Sequence, residues 1–382
     1  MATTVTTQSW GSRLMDSLKN IVFGFVVFGL GIGLLWWNEH RAVRDYQEIN
    51  DVRNNVVSVA SDSVSPINEG LPVHVSGRAQ TADVLKDPLF EVEANAIRFR
   101  RKVEMYQWKE RIESTTKKKM GGGTEKPETP FYDKVWSEQL ISSQNFRESG
   151  HENPAAMHPE GWTDVADTVT LDSFTLSQDA VQKLRAYEPY TVHRATLPEG
   201  ARLEDSVIKY GASDSAPEIG DRRVSFQIVP QGPVSIIAAQ VGSELAPWVS
   251  SRGKGYIRVQ TGTHAAEEML TQAESEIRML TWLLRAGGWL LMSFGMITVM
   301  TPLSVLGDVL PFLGNLIGGG IKLFSFFTCA VLALLIIGIA WMAARPLVGI
   351  PVVVAAGGLV VWLLLRAKKK KTGVVAEAEG VS

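Results

Sequence analysis

Apolar residues concentrate in four stretches of this chain, one near the N-terminus and three in the last quarter. The first, residues 21–37, reads IVFGFVVFGLGIGLLWW and carries no charge. About 20 apolar residues in a helix cross the hydrocarbon layer of a membrane. The pattern therefore predicts four membrane-spanning helices, at residues 18–37, 284–306, 323–344 and 347–365.

The first stretch has a signal peptide as its alternative interpretation. The residues that follow it are Asn38, Glu39, His40 and Arg41, which do not resemble the small residues of a cleavage site. We therefore favour an uncleaved anchor, preceded by a short cytoplasmic segment at residues 1–17.

The segment between the second and third spans, residues 307–322, is apolar but interrupted. Asp308, Pro311 and the glycines at 318–320 break its pattern, which predicts an interfacial or re-entrant connection. Only Arg345 and Pro346 separate the last two spans, so a tight helical hairpin is expected there.

Basic residues next to the last span predict the orientation of the chain. Arg366 and the lysines at 368–371 follow it directly, and such clusters stay on the cytoplasmic side. The tail at residues 366–382 is then cytoplasmic. With an even number of spans the N-terminus is cytoplasmic too, and residues 38–283 lie in the lumen or periplasm.

The middle region has the period of β-strands. Residues 96–112 combine a charged face with an apolar one, as in a half-buried strand, and the apolar positions are Ile97, Phe99, Val103, Met105, Tyr106 and Trp108. A polar connection at residues 117–130 resembles a hairpin tip, because a second strand-like stretch, 131–141, follows it. Further strands are predicted at 73–76, 164–175, 207–210, 222–229, 234–241 and 256–260.

Two helices are predicted in the same region. Residues 177–184 form a short one with Ser177 as its cap. Residues 263–284 lack Gly and Pro and repeat apolar residues at helical spacing, so this helix should continue into the second span. The fold class is thus a membrane protein with α-helical spans, one N-terminal and three C-terminal, and a β-rich α+β extracytoplasmic domain between spans one and two.

The net charge and the cysteine content argue against a nucleic-acid-binding protein and against a disulfide-stabilised domain. The chain has 382 residues and a net charge of -2, which argues against nucleic acid as a partner because phosphate-binding domains are basic. Cys329 is the single cysteine, so no intramolecular disulfide forms and the domain depends on its own core.

Catalytic motifs are missing from the sequence. The six histidines form no His-Glu-x-x-His pattern, and no Walker A loop or Gly-x-Ser-x-Gly occurs. His151 and His158 lie seven positions apart without further ligands at suitable spacing. We predict no enzyme, no catalytic residue, no cofactor and no metal. The uncharged spans also argue against an ion channel.

Two surfaces are candidates for contacts. Arg98, Arg100, Arg101 and Lys102 form either an anion-binding patch or a solvated strand face, and we favour the solvated face. Gly29 and Gly33 have the spacing of close helix packing, either against the C-terminal spans or in self-association.

Several motifs carry a resemblance to a known family. Residues 103–108 read VEMYQW after Phe99-Arg100-Arg101-Lys102, residues 150–157 read GHENPAAM, and Arg285 opens a RAGGW block. In these motifs the chain resembles the transmembrane protein forty-three (LUMA) family along nearly its whole length. One departure is His40, where the family has Gly.

The resemblance implies four spans, cytoplasmic termini and a lumenal domain. In animals the family lies in the endoplasmic reticulum and inner nuclear membrane, where it organises membrane protein complexes and binds emerin and lamins; a bacterial member would lie in the inner membrane. We therefore expect a scaffold with membrane lipids and membrane proteins as partners, and a lipid-handling or enzymatic protein with its site in the extracytoplasmic domain is the alternative. The candidate interaction segment comprises Arg100, Arg101, Glu104, Tyr106, Trp108, His151, Asn153 and Pro154.

Overall fold

The fold was obtained as a computed structural model. It describes residues 3–211, 216–250, 253, 255–344, 350, 351, 353–355, 357 and 358. The chain divides into two compact units. The sheet unit comprises Met1–Thr4, Glu48–Ser114 and Glu128–Ala273, and the bundle unit comprises Val5–Gln47, Thr115–Pro127 and Glu274–Ser382.

Long helices build the bundle unit, and short strands build most of the sheet unit. The helices are α1 (Trp10–Asn55), α2 (Gln178–Lys183), α3 (Ala266–Gly307) and α4 (Pro311–Ala344), with a 3₁₀ turn at Pro66–Asn68. The strands are β1 (Thr4–Gln8), β2 (Val57–Val59), β3 (Pro72–Gln80), β4 (Leu85–Lys86), β5 (Glu93–Ala94), β6 (Arg98–Ser114), β7 (Lys117–Lys118), β8 (Thr124–Ser137), β9 (Trp162–Val165), β10 (Thr170–Leu171), β11 (Phe174–Leu176), β12 (Glu188–Tyr190), β13 (Ala201–Glu204), β14 (Val207–Tyr210), β15 (Arg222–Val229), β16 (Gly232–Val241), β17 (Glu244–Ala246), β18 (Trp248–Val249), β19 (Gly255–Tyr256) and β20 (Arg258–Thr261).

The larger sheet is organised around β6. Its order is β1-β8-β6-β15-β14-β13, and β9 also pairs with β6. Along β6 the buried side chains alternate with half-buried ones, as a strand with one face on the core requires. Phe99 and Val103 pack there against Phe226 of β15. The predicted hairpin is confirmed, but its second strand, Thr124–Ser137, begins inside the predicted connection at 117–130 and ends before residue 141.

The alternation on β6 differs from the sequence prediction in one respect. Arg101 is in phase with Phe99 and Val103 and is buried, whereas Tyr106 and Trp108 lie on the opposite, half-buried face. Hydrophobicity alone had grouped the two aromatic residues with the core positions. The period of two, however, assigns a residue's face by its position on the strand.

The smaller sheet closes on itself. Its order is β2-β3-β10-β11-β17-β16-β20, and β3 also pairs directly with β16. Five of its strands therefore form a ring, around a cluster that includes Val75, Leu171 and Ile236. The predicted strand at 164–175 is instead split into β9, β10 and β11, with a turn at Asp172 that has a positive φ of 52°. Helix α2 packs beside this ring and is capped by Ser177, whose side chain accepts a hydrogen bond from the Ala180 amide.

Among the described residues, three helices are long and apolar enough to cross a membrane: Trp10–Asn55, Ala266–Gly307 and Leu313–Met342. Helix α1 has 46 residues and extends well past the predicted span, because the sequence from 38 to 55 lacks Gly and Pro. Helix α3 runs without a break through 42 residues, which confirms the predicted continuous rod.

The predicted connection at 307–322 is wrong over most of its length. Helix α4 already begins at Pro311, and proline is well tolerated in the first turn of a helix. The chain therefore turns within Asp308 to Leu310. The predicted fourth span at 347–365 and the basic tail lie mostly or wholly outside the described residues, so both stay predictions, as does the orientation derived from them.

The N-terminal strand and the hairpin tip lie at the same end of the bundle unit. Strand β1 pairs with β8, and Lys118 at the tip binds Asp308. The predicted positions of residues 1–17 and 38–283 on opposite sides of a membrane stay predictions.

Two glycines of α1, Gly24 and Gly31, contact α3 closely. They are seven positions apart, as are the glycines that they meet on α3. A Cβ atom added at Gly31 would lie 2.6 Å from Met292 Cγ and 2.9 Å from the Gly288 carbonyl oxygen. Gly24 meets Gly295 in the same way, at 2.9 Å from its carbonyl oxygen. At Gly29 and Gly33, by contrast, an added Cβ would meet nothing within 4 Å. These two do not mediate the α1–α3 contact, and their part in self-association stays a prediction.

We therefore expect Gly31→Ala to destabilise the bundle by about 1–3 kcal/mol, because the new methyl overpacks a closed contact. Gly29→Ala is the matched control, and the higher helix propensity of Ala should leave stability unchanged or slightly raised, by up to about 1 kcal/mol. Thermal unfolding in detergent micelles compares the two. Equal effects of both substitutions would contradict the glycine assignment.

Candidate functional site

The half-buried face of β6 carries two charged residues of the candidate interaction segment, Arg100 and Glu104. Arg100 binds Glu138 at 2.9 Å, and Glu104 binds Arg223 at 2.8 Å and Lys102 at 3.4 Å. Burial raises the pKa of Glu104, but the hydrogen bond and charge of Arg223, with the charge of Lys102, outweigh it and lower the pKa overall. The charged side chains of this half-buried face are thus paired with one another, and the choice between a solvated face and an anion-binding patch stays a prediction.

Arg101 belongs to a different environment. Its Nη1 donates to both carboxylate oxygens of Asp87, at 2.9 and 2.7 Å, and its Nε donates to the Glu160 carbonyl. The Asp87 side chain is completely buried, and the guanidinium also lies over the rings of Phe90 and Trp162. The solvated-face interpretation is therefore wrong for Arg101, which is part of the core.

We expect Arg101→Ala to destabilise the sheet unit by about 3–5 kcal/mol, because it leaves the Asp87 carboxylate buried without its partner. Arg100→Ala removes an exposed ion pair from the adjacent position and should cost less than about 1 kcal/mol. Denaturant-induced unfolding of the full chain measures both. A small effect of Arg101→Ala would contradict a structural role for this ion pair.

The remaining residues of the segment hold a long connection against β6. Asn153 accepts from the Trp108 amide at 2.7 Å and donates to the Trp108 carbonyl at 2.8 Å. The His151 ring stacks on Tyr132 with centroids 3.7 Å apart and meets Trp108 edge-on at 4.7 Å. Pro154 lies beside the turn at Gly220. These side chains come together as predicted, and they fix the loop between β8 and β9. Binding of a partner by this surface stays a prediction.

A second site, in the bundle unit, was not predicted. Glu39 is completely buried, and its two carboxylate oxygens accept from Nε and Nη2 of Arg285, both at 2.7 Å. The indole Nε1 of Trp341 donates to the same carboxylate at 2.5 Å. One carboxylate thus joins α1, α3 and α4. A charge in this position is costly without a partner, and the fork of Arg285 supplies the bidentate geometry that satisfies it.

Neighbouring polar groups complete this cluster. Asn38 is also fully buried and donates to the Thr281 carbonyl at 3.2 Å. Arg41 donates to Asn38 Oδ1 and to the Thr281 hydroxyl, both at 3.2 Å, and pairs with Asp45 at 2.9 Å. We call Asn38, Glu39, Arg41, Thr281, Arg285 and Trp341 the polar cluster. Its formal charges are balanced once Asp45 is included.

The opposite end of α1 and α3 has a buried carboxylate of its own. Asp308 is fully buried and binds Arg13 and Lys118, each at 2.6 Å. Arg13 also donates to the Gly122 carbonyl. A Cβ at Gly314 would lie 1.7 Å from Asp308 Oδ1, so glycine is required there. We call Arg13, Lys118 and Asp308 the ion triad.

The two sites lie at opposite limits of the membrane-spanning part. Arg13 and Glu39 are 26 positions apart on α1, which corresponds to about 39 Å of helix, somewhat more than the hydrocarbon thickness of about 30 Å. The outward residues between them, such as Val22, Phe25 and Leu30, are apolar and exposed. This separation fits charges at the two interfaces of a bilayer, and the apolar surface between them suits lipid.

Sequence reasoning missed Glu39 for an identifiable reason. It follows the apolar run by two positions and was assigned to the polar domain. A possible partner for Glu39 is visible in the sequence, because Arg285 lies at the start of the second span. When α1 and α3 pair antiparallel, Arg285 comes to lie opposite Glu39. Among the described residues, no group of three His, Cys, Asp or Glu side chains could hold a metal ion.

Comparison with known proteins places the chain in a family. A sequence model described as Transmembrane protein 43 matches residues 105–346. Transmembrane protein 43 of Rattus norvegicus is 34% identical over 349 residues, which cover 88% of this chain and 87% of the relative. The protein of Homo sapiens is 33% identical over the same length and coverage.

A more distant relative shows the same extent of similarity. The Transmembrane protein 43 homolog of Drosophila melanogaster is 29% identical over 360 residues, which cover 89% of this chain and 93% of the relative. No solved structure matches the chain. The family resemblance found in the motifs is confirmed, and the chain belongs to the Transmembrane protein 43 family.

Proposed function

We propose that this protein is a multi-pass membrane scaffold that organises membrane protein complexes. The observation that carries the proposal is the fixed pairing of charges in the bundle unit. Glu39 and Asp308 are each locked between side chains of other segments at the two helix ends. Proton and ion pathways instead place ionisable groups along the spans. A static, ion-locked bundle suits an anchor.

The family resemblance supports our proposal for the membrane in which the protein acts and for its partner proteins. A eukaryotic chain would act in the endoplasmic reticulum and inner nuclear membrane, with emerin- and lamin-type partners, and a bacterial one in the inner membrane. The half-buried surface around Trp108, Tyr132 and His151 is the contact region that we propose for a partner protein, because its aromatic rings are already ordered.

Affinity purification from native membranes tests the scaffold. We expect membrane proteins to copurify with the full chain, and their recovery to fall with Trp108→Ala while Arg111→Ala, an exposed change on the same strand, leaves it unchanged. Thermal unfolding of both variants shows that they remain folded. Recovery of the chain without membrane proteins would contradict the proposal.

Self-association is the second part of the proposal. The open helix face at Gly29 and Gly33 allows close approach of another helix. Chemical crosslinking in native membranes should give dimers or larger species that Gly29→Leu reduces, with Leu30→Phe on the same lipid-facing helix as the control. Only monomers in the unmodified protein would contradict self-association.

A further inference from the structure

A cavity of about 520 Å³ lies between α3 and α4 in the bundle unit. Its walls combine flat aromatic side chains with very small ones: Trp282, Trp289, Trp341, Ala286, Ala330 and Ala333. Binding sites for small molecules have volumes of roughly 300–1,000 Å³ and mainly apolar walls. The cavity therefore has the size and lining of a ligand site.

The position of the cavity indicates what fills it. Along α4 the lining extends from Ala330 to Trp341, which is about 16 Å of helix. It begins at the level of the polar cluster, where Trp341 binds Glu39, and continues into the apolar part of the span. The cavity is partly open to its surroundings, which for membrane-spanning helices are lipid. This shape suits a linear hydrocarbon that enters from the membrane.

Arg285 provides a polar contact at the interfacial end of the cavity. Its guanidinium lines the wall between the rings of Trp282, at 4.8 Å, and Trp341, at 5.8 Å. Nε and Nη2 bind Glu39, and Nη1 has no hydrogen bond among the described residues. Both N–H groups of Nη1 are therefore available as donors. Since Glu39 neutralises the charge of Arg285, a neutral acceptor suits the site better than a carboxylate or phosphate.

We propose that one acyl chain of a glycerophospholipid occupies this cavity, with its ester carbonyl accepting a hydrogen bond from Arg285 Nη1. Ester carbonyls lie at the interface, the depth that Trp and Arg side chains prefer. The linear chain follows the groove along Ala330 and Ala333, and its neutral carbonyl meets the guanidinium of Arg285. This binding goes beyond the scaffold function and does not depend on it.

Photocrosslinking of the full chain tests the assignment. The purified protein in nanodiscs is irradiated with phosphatidylcholine that carries a diazirine on one acyl chain, and labelled peptides are mapped by mass spectrometry. We expect label in the peptides that contain Trp289 and Ala330. Ala286→Phe fills the cavity and should reduce that label roughly tenfold, which corresponds to a loss of about 1.4 kcal/mol in affinity.

Leu283→Phe is the matched control, because Leu283 is exposed on the same helix turn and does not line the cavity. Its label should equal that of the unmodified protein. Leu334→Trp fills the cavity from α4, where Leu334 is exposed, and replaces Ala286→Phe if that variant does not fold. Label that persists in the filled variants, or a diazirine sterol that labels the same peptides and is not displaced by phosphatidylcholine, would overturn the proposal.

Discussion

Replacement of Glu39 by glutamine should destabilise the bundle unit by about 3–5 kcal/mol. The substitution keeps the shape of the side chain but removes the negative charge of the carboxylate. Nε and Nη2 of Arg285 each donate to this carboxylate at 2.7 Å. Arg285 would then be largely buried without a counter-charge, and the amide can accept only through its one remaining oxygen. Denaturant-induced unfolding in mixed micelles, followed by tryptophan fluorescence, measures the loss.

Asp16→Asn is the control for this prediction. Asp16 lies on the same helix and faces Lys19 at 3.9 Å, and both side chains are largely exposed. An exposed pair of this kind contributes at most about 1 kcal/mol, so the midpoint of unfolding should hardly move. Comparable effects of the two substitutions would mean that the Glu39 carboxylate is solvated and does not join the helices.

Replacement of Asp308 by asparagine should also destabilise the bundle unit, by about 3 kcal/mol. Arg13 and Lys118 both approach the Asp308 carboxylate within 2.6 Å. Without its charge the two cations repel each other, and the hairpin tip at Thr115–Pro127 loses the ion pair that holds Lys118. We therefore expect trypsin to cleave after the lysines at 117–119 much faster in Asp308→Asn than in the unmodified protein.

The control for the tip is Glu125→Gln. Glu125 pairs with Lys119 at 3.0 Å on the exposed side of the hairpin, and its loss should leave both cleavage and unfolding nearly unchanged. Unaltered cleavage in Asp308→Asn would contradict the role of the ion triad in holding the tip.

Much of the local structure follows from the sequence pattern. The alternation along β6 predicts a long strand, and the Gly- and Pro-bearing segment after it predicts a hairpin. The absence of Gly and Pro between 263 and 284 predicts that α3 enters the membrane unbroken. In these places local propensity and tertiary packing agree.

The buried charges could not be predicted in the same way. Arg101 looks like one of four basic residues until its partner Asp87, 14 positions earlier, is brought beside it. Glu39 and Arg285 are 246 positions apart, and Asp308 and Lys118 are 190 apart. A buried ion pair is specified by the fold that joins its members, and neither residue differs locally from a solvated one.

The glycines that pack the helices could not be predicted from the sequence pattern either. The small-xxx-small pattern drew attention to Gly29 and Gly33, whereas the close contact uses Gly24 and Gly31. All four residues are glycines, so residue type does not distinguish the two pairs. The choice between them depends on the face of α1 that α3 covers.

A double-mutant cycle on Glu39 and Arg285 tests most directly whether this ion pair joins the spans. The cycle compares the free energy of unfolding of Glu39→Leu, Arg285→Met and the double variant in mixed micelles. We predict strong coupling, with the double variant more stable than either single one by about 1–3 kcal/mol, because it leaves no buried charge unpaired. Single effects that add within about 0.5 kcal/mol would show that the two residues act independently, which would contradict a bundle joined by this pair.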